Sequence, residues 1–196
     1  MPKSLSRMVV RFSVDLHKEL LHSRKDKKEN VTSSPFMITA ALSMTFAGAR
    51  ENTADELLAV LRGKDEKLHE NFASFMPKLS SHSHKLQFHV ANRIYSDEKF
   101  PVVEEYATFV NSTYASTIQS TGNPVVSEMI HSVYLQIDED GTDAAVATPA
   151  VAAASTTTVS PAATQKTEFV VDHPFMLLVL KSKSDVILFM SSVRHP

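Results

Sequence analysis

Twelve consecutive residues, Phe36 to Ala47, are apolar or small on every side of the helix they would form. A helix with no polar face is stable in water only when neighbours cover it all round. This segment therefore makes the rest of the chain its wrapping. Ser34 followed by Pro35 reads as its N-cap and first helical residue, and Gly48 is placed to take a left-handed cap at its end. The chain can supply the cover: 196 residues with 43% hydrophobic side chains form one core without a metal or a staple.

Helical spacing supplies the first layers. Leu5, Met8, Val9, Phe12, Leu16 and Leu20 form one face of an opening helix, with Arg7, Arg11, Asp15 and Lys18 on the other. Thr53 and Glu56 read as a capping box opening a helix from Ala54 to Arg62, with Leu57, Leu58 and Leu61 inward and Gly63 as the stop. Leu68, Phe72, Phe75 and Met76 are the inward set of a helix over Glu66 to Leu79. Alternation then predicts a strand over Leu86 to Tyr95, a short helix over Val102 to Asn111 and a strand over Tyr114 to Gln119. After a turn at Thr121 to Pro124, Val125 to Asp138 alternates as a strand. Three short strands follow, at about Glu168 to Val171, Phe175 to Lys181 and Asp185 to Met190. Helices dominate the first half and strands the second, an α+β pattern with no βαβ alternation and no repeat.

Composition removes many functions. There is no cysteine, so thiol nucleophiles, Cys-containing zinc sites and disulfides are excluded together. The four glycines, at 48, 63, 122 and 141, fit no dinucleotide fingerprint, phosphate loop or nucleophile elbow. A net charge of −2 gives nucleic acid or an anionic membrane no basic surplus to recognise. No carboxylate pair or Ser/His/Asp arrangement has positional support, so no enzyme and no cofactor are expected. His82, His84 and His89 alternate as metal ligands could, but no acidic residue is close in sequence, and exposed loop histidines with no metal are the simpler reading.

From Ala144 to Thr164 the chain holds nine Ala, five Thr, three Val, two Ser, two Pro and no charge. The tract has the length of a membrane span, yet a third of it is Ser or Thr, two prolines interrupt it and Leu, Ile and Phe are missing. No membrane partner is expected. Met1 to Met8 is polar and lacks the regions of a signal peptide, which leaves either an intracellular chain or one that begins after cleavage.

Three blocks carry a family resemblance. Asn30-Val31-Thr32-Ser33-Ser34-Pro35, running on through Ala41-Leu42-Ser43-Met44-Thr45-Phe46-Ala47-Gly48-Ala49-Arg50 to Asn52-Thr53-Ala54-Asp55-Glu56-Leu57, resembles the early helices of a serpin. Ile130-His131-Ser132-Val133 followed by Asp138-Glu139-Asp140-Gly141-Thr142-Asp143-Ala144-Ala145 resembles the strand and hinge that feed the serpin reactive loop. Phe169-Val170-Val171-Asp172-His173-Pro174-Phe175-Met176-Leu177-Leu178-Val179 resembles the family's C-terminal signature.

The resemblance implies one serpin domain over 1–196: a helical part at 1–120, a sheet A strand at 125–141, the reactive loop at 141–167 and C-terminal antiparallel strands at 168–196. It implies a bait mechanism, in which a serine protease cleaves the loop to an acyl-enzyme and the loop inserts into sheet A. The hinge is then Gly141, Thr142, Asp143, Ala144, Ala145, Val146, Ala147 and Thr148. Thr142, Ala144, Val146 and Thr148 face inward at period two, all small or β-branched. Family spacing gives Ser155 and Thr156 as the scissile position counted from Gly141, and Ala163 counted back from Pro174; Val159 before Ser160 is a third choice. These favour an elastase-like protease, while Lys166 leaves a trypsin-like one open. Ser34 and His131 match the family's shutter. The resemblance also implies a secreted protein, with a cytoplasmic one as the alternative.

Departures from the family pattern are specific. Pro149 can donate no ladder hydrogen bond and is disfavoured in a sheet interior. Met37 stands where the family has a second small hydroxyl residue. Only Thr121 to Pro124 remains of the long stretch that separates the two halves of a complete serpin, so central strands and helices are missing, along with the expected Asn partner of His131. Exposed strand edges then favour self-association, and trapping of a protease is not expected of this chain alone. Lys64, Lys67, His69, Lys78 and Lys85 flank the helix that binds glycosaminoglycan in some serpins, but Glu66 and Glu70 interrupt them, as on a solvated face. Of two glycosylation sequons, Asn30-Val31-Thr32 reads as structural and Asn111-Ser112-Thr113 as usable in a secreted chain.

Overall fold

The first helix, α1 (Lys3–Ser23), buries the line Leu5, Val9, Ser13 and His17 together with Met8 and Phe12. These coordinates are a computed structural model, and it describes residues 3–24, 26, 28–63, 67–80, 92–99, 101–121, 170–181 and 184–195. Leu16 and Leu20, expected inward, are half-buried. Two polar residues take their place because each has an acceptor or partner there: Ser13 Oγ donates to the Val9 carbonyl at 2.6 Å, and His17 Nε2 lies 2.7 Å from Ser192 Oγ.

The apolar helix is α2 (Pro35–Gly48), with Phe36, Ala40 and Met44 buried. Ser34 occupies its N-cap position, but the hydroxyl does not cap; it donates to the Leu188 carbonyl at 2.6 Å instead. Gly48 is not the left-handed cap either, since the chain leaves the helix through Ala49 in extended conformation. The capping box also fails to form. Helix α3 (Glu51–Val60) starts with Arg50 at the N-cap position and no side-chain cap, ahead of Thr53, because the backbone already turns at Glu51 (φ 50°). Leu61 is buried as expected, Leu57 and Leu58 are half-buried, and Arg62 rather than Gly63 takes the left-handed conformation (φ 54°). At Gly63 a Cβ would lie 3.1 Å from Leu58 Cδ1, so the Leu58 side chain would have to give by a few tenths of an ångström.

Helix α4 (Leu68–Ser80) buries Leu68, Phe72, Phe75 and Met76, the four residues its spacing selected. Strand β2 (Asn92–Asp97), helix α5 (Glu104–Tyr114) and strand β3 (Ser116–Thr121) follow. The helix lies later than expected and takes Tyr114 from the strand, ending at Ala115 in left-handed conformation. β2 and β3 pair in parallel, Asn92 opposite Ser116 through Asp97 opposite Thr121. A parallel pair needs a crossover, and α5 provides it, so the chain contains one βαβ unit that the sequence reading left out.

The second sheet is antiparallel with strand order β1-β5-β4: β1 (Val31–Ser33), β5 (Val186–Val193) and β4 (Phe175–Lys181). β1 was not expected as a strand; three residues are too few to show a period. Val170 and Val171 lie in no strand, and Val170 is 65% exposed. The last two strands are found close to where alternation put them. Among the described residues no helix is long and apolar enough to cross a membrane.

The core gathers around α2. Phe36 lies 5.7 Å from Phe72 and 5.3 Å from Phe75 between ring centroids, and Phe72 lies 5.1 Å from Tyr114. Val186 and Leu188 of β5 close the other side. Phe72→Ala is expected to lower unfolding free energy by about 3–5 kcal/mol, measured by urea denaturation; a loss below about 1 kcal/mol contradicts this account of the core.

Candidate functional site

The short strand β1 turns directly into α2, and this junction carries the one sequence-predicted site residue among those described. Ser34 is buried, and its bond to Leu188 ties the start of α2 to β5 across 154 positions of sequence. Beside it the contact with β5 continues as a row of polar pairs. Thr32 Oγ1 lies 2.7 Å from Ser191 Oγ, and His17 reaches Ser192 as described. Asn30 Oδ1 accepts from the amides of Arg194 at 2.7 Å and His195 at 3.2 Å, while its Nδ2 donates to the His195 carbonyl at 3.3 Å. The Asn30 amide is thus committed to holding residues 194 and 195, in line with a structural reading of that sequon. Asn111 is exposed, and its Nδ2 donates to the Ser116 carbonyl at 3.2 Å.

The cluster is well packed but incomplete. Ser33 Oγ and His17 Nδ1 are buried with no hydrogen-bond partner among the described residues. Met37 is half-buried against the core. His131, Pro149, the hinge residues 141–148, the scissile choices Ser155, Thr156, Val159, Ser160 and Ala163, and Lys166 all lie outside the described residues. So do Lys64, His82, His84, Lys85 and His89. Of the two residues matched to the family's shutter, Ser34 alone lies among the described residues.

His69 is a correction to the basic row. Its ring stacks on Phe46 at 5.8 Å and meets Phe109 edge-on at 5.2 Å, with Nδ1 2.6 Å from Tyr114 Oη. Burial lowers its pKa below the usual histidine value and favours the neutral ring. It adds no lasting charge to the lysines around it. Sequence reasoning missed both His69 and His17 as packed residues. The signal for His17 was its place one turn beyond Ser13 on the buried line of α1.

On the far side of the antiparallel sheet, β4 presents Met176, Leu178 and Leu180, exposed by 54%, 44% and 53%, while Phe175, Leu177 and Val179 are half-buried. Both faces of this strand are apolar, the pattern of a strand meant to be covered on both sides. Among the described strands it pairs only with β5.

Known proteins agree with this geometry. The sequence pattern of the serpin family, described as serine protease inhibitors, matches residues 7–123 and again 116–196. The chain belongs to the serpin family. It is an abridged member: the two matches overlap at residues 116–123, with no residues between them. Ipis-1 of Ixodes persulcatus is 47% identical over 120 residues, covering 61% of this chain and 32% of that protein. Iris of Ixodes ricinus is 48% identical over the same length and shares. The chain thus spans about a third of the length of these relatives. Among solved structures, emu ovalbumin is 26% identical with a TM-score of 0.54, covering 60% of this chain and 34% of its own. Serpin48 of the insect Tenebrio molitor, titled a highly specific serpin, is 27% identical with a TM-score of 0.54, covering 62% and 32%.

The two buried histidines set a pH dependence. Burial lowers the pKa of both His17 and His69, so the unfolded chain binds protons near pH 6.5 that the folded chain resists. Stability from these groups is present above about pH 6.5 and falls as pH drops below it. The melting temperature is expected to be lower at pH 5.5 than at 7.5, and the difference to shrink in His69→Phe; a rise on acidification contradicts the assignment.

Proposed function

We propose that this chain offers residues 141–166 as bait to a serine protease that prefers small or aliphatic side chains, and that it is cleaved there without trapping the enzyme. Membership in a family of serine protease inhibitors supports the bait. The elastase-like preference rests on the Ala, Val, Ser and Thr content of the tract, a trypsin-like cut at Lys166 being the alternative. The observation that carries the second half of the proposal is the meeting of the two family matches at residues 116–123. Insertion of a cleaved loop needs a strand on each side of the slot, and the part of the family pattern that would lie between the two matches is not in this chain. The hinge from Gly141 to Thr148 suits the inserting half of the process, but Pro149 opposes it at the next position. On this reading the protein performs no catalytic step of its own, and it works outside the cell, where the Asn111 sequon is available for a sugar.

Incubation with a pancreatic-type elastase is expected to give two fragments cut between residues 155 and 164. No band at the summed mass should appear on a denaturing gel, and the melting temperature of the nicked chain should change by less than a few degrees. A denaturant-stable adduct, or a large gain in melting temperature after cleavage, overturns the non-trapping reading and restores inhibition. Failure of elastase and trypsin alike to cut between 141 and 166 removes the bait itself.

The exposed face of β4, and its edge without a partner among the described strands, support a second part of this proposal, self-association. A six-residue uncharged run without Gly or Pro, Phe175 to Leu180, is the kind of strand that pairs with its own copy. At tens of micromolar the chain is expected to sediment as dimer or larger. Leu178→Lys, on the exposed face, should shift it to monomer with an unchanged melting temperature; a wild-type chain that sediments as monomer at that concentration removes this part.

A further inference from the structure

An open cleft of about 650 Å³ lies between the end of α2, the side of α4 and the first turn of α5, within the volume range of ordinary small-molecule sites. Its walls are ring surfaces and small groups: Tyr106, Phe109 and His69 together with Ala47, Gly48 and Val103. The rings are held in place. Tyr106 Oη donates to the Met44 carbonyl at 2.8 Å, and its ring lies where a Cβ on Gly48 would be 3.4 Å away. His69 is fixed between Phe46 and Phe109 and by its bond to Tyr114.

Polar atoms select the charge of an occupant. His69 Nδ1 lies 2.6 Å from Tyr114 Oη; with the phenol as donor, the neutral imidazole carries its proton on Nε2. None of the hydrogen bonds among the described residues uses that N–H. Nor does a side chain cap α5, so the N–H groups of its first turn have no side-chain acceptor. Arg50 stands at the mouth, anchored by NH1 donating to the carbonyls of Ala49 at 2.7 Å and Ala47 at 3.4 Å. Glu105 is the acidic group among the described lining residues, and it sits in the first turn of α5, where the helix end offsets its charge.

We propose that this cleft binds a small aromatic acid, its ring packed among Tyr106, Phe109 and His69 and its carboxylate accepting from His69 Nε2 and Arg50. The site involves no residue of the bait tract, so it stands or falls independently of the protease reading.

Indole-3-acetate, indole-3-acetamide and tryptamine share one ring and differ in charge, and they test the assignment directly. The chain has no tryptophan, so indole emission reports the ligand alone. Titration of the full chain is expected to shift the emission of indole-3-acetate at submillimolar protein, with affinity at least fivefold above the amide and further above tryptamine. Arg50→Gln, a change on an exposed side chain, should weaken the acid about fivefold and leave the amide unchanged. His69→Phe keeps a ring in the cluster and should weaken acid and amide alike, and Ala47→Phe should abolish all binding by filling the space. Equal affinities for the three probes, tightest binding of tryptamine, or no emission shift at millimolar protein would each overturn the proposal. Arg50→Gln decides the charge preference whether or not Ala47→Phe folds.

Discussion

Burial of one face of α2 is the constraint on which the other elements depend. Phe36, Ala40 and Met44 on that face are nearly or fully inaccessible, while Met37, Ile38, Ala41 and Leu42 on the other are half-buried and Thr45 is exposed. α1, α4 and α5 pack against the buried face, and β5 adds Val186 and Leu188. The aromatic contacts of Phe36 with Phe72 and Phe75 are a consequence, because large rings fill the wedge between crossing helices more completely than aliphatic chains. So is the position of Ser34. The start of α2 is buried, and the Ser34 hydroxyl finds the Leu188 carbonyl instead of capping.

This arrangement separates two roles within the serpin pattern. The helices and the β1-β5-β4 sheet form a closed apolar unit in which first and last parts of the chain share one core. The β2–β3 pair, joined by α5, stands apart as a small parallel sheet. A bait loop needs a receiving sheet more than it needs a core, and it is the middle of the family pattern, between the two matches, that this chain goes without.

Much of this was legible in the sequence. The apolar helix, the inward set of α4, the last two strands and the family followed from period and motif, although α2 buries one face rather than its whole surface, with Met37, Ile38, Ala41 and Leu42 half-buried and Thr45 exposed. What escaped were features set by partners distant in sequence. Ser34 has every local mark of an N-cap, and only the neighbouring strand decides where its proton goes. Thr53 and Glu56 have the right spacing for a capping box, but a turn at Glu51 starts the helix ahead of them. His17 and His69 escaped because their company, Ser192 and Tyr114, is 175 and 45 positions away. β1 is too short to have a pattern. Of the candidate site, Ser34 could be placed in the structure, whereas the hinge and scissile residues rest on motif alone.

The link between β1 and β5 joins Thr32 to Ser191, 159 positions apart. Closing such a loop depends only logarithmically on its length, so a twofold change in the intervening chain alters the cost by only about 0.6 kcal/mol. Evolution or splicing can cut the middle without disturbing the encounter of the two ends. Timing is less forgiving. The ribosome adds about 5–20 residues per second, so α2 emerges roughly 7–28 s before the strand that completes its cover. Through that interval an all-apolar helix has one bare side, and a chaperone that binds such surfaces has its opening there.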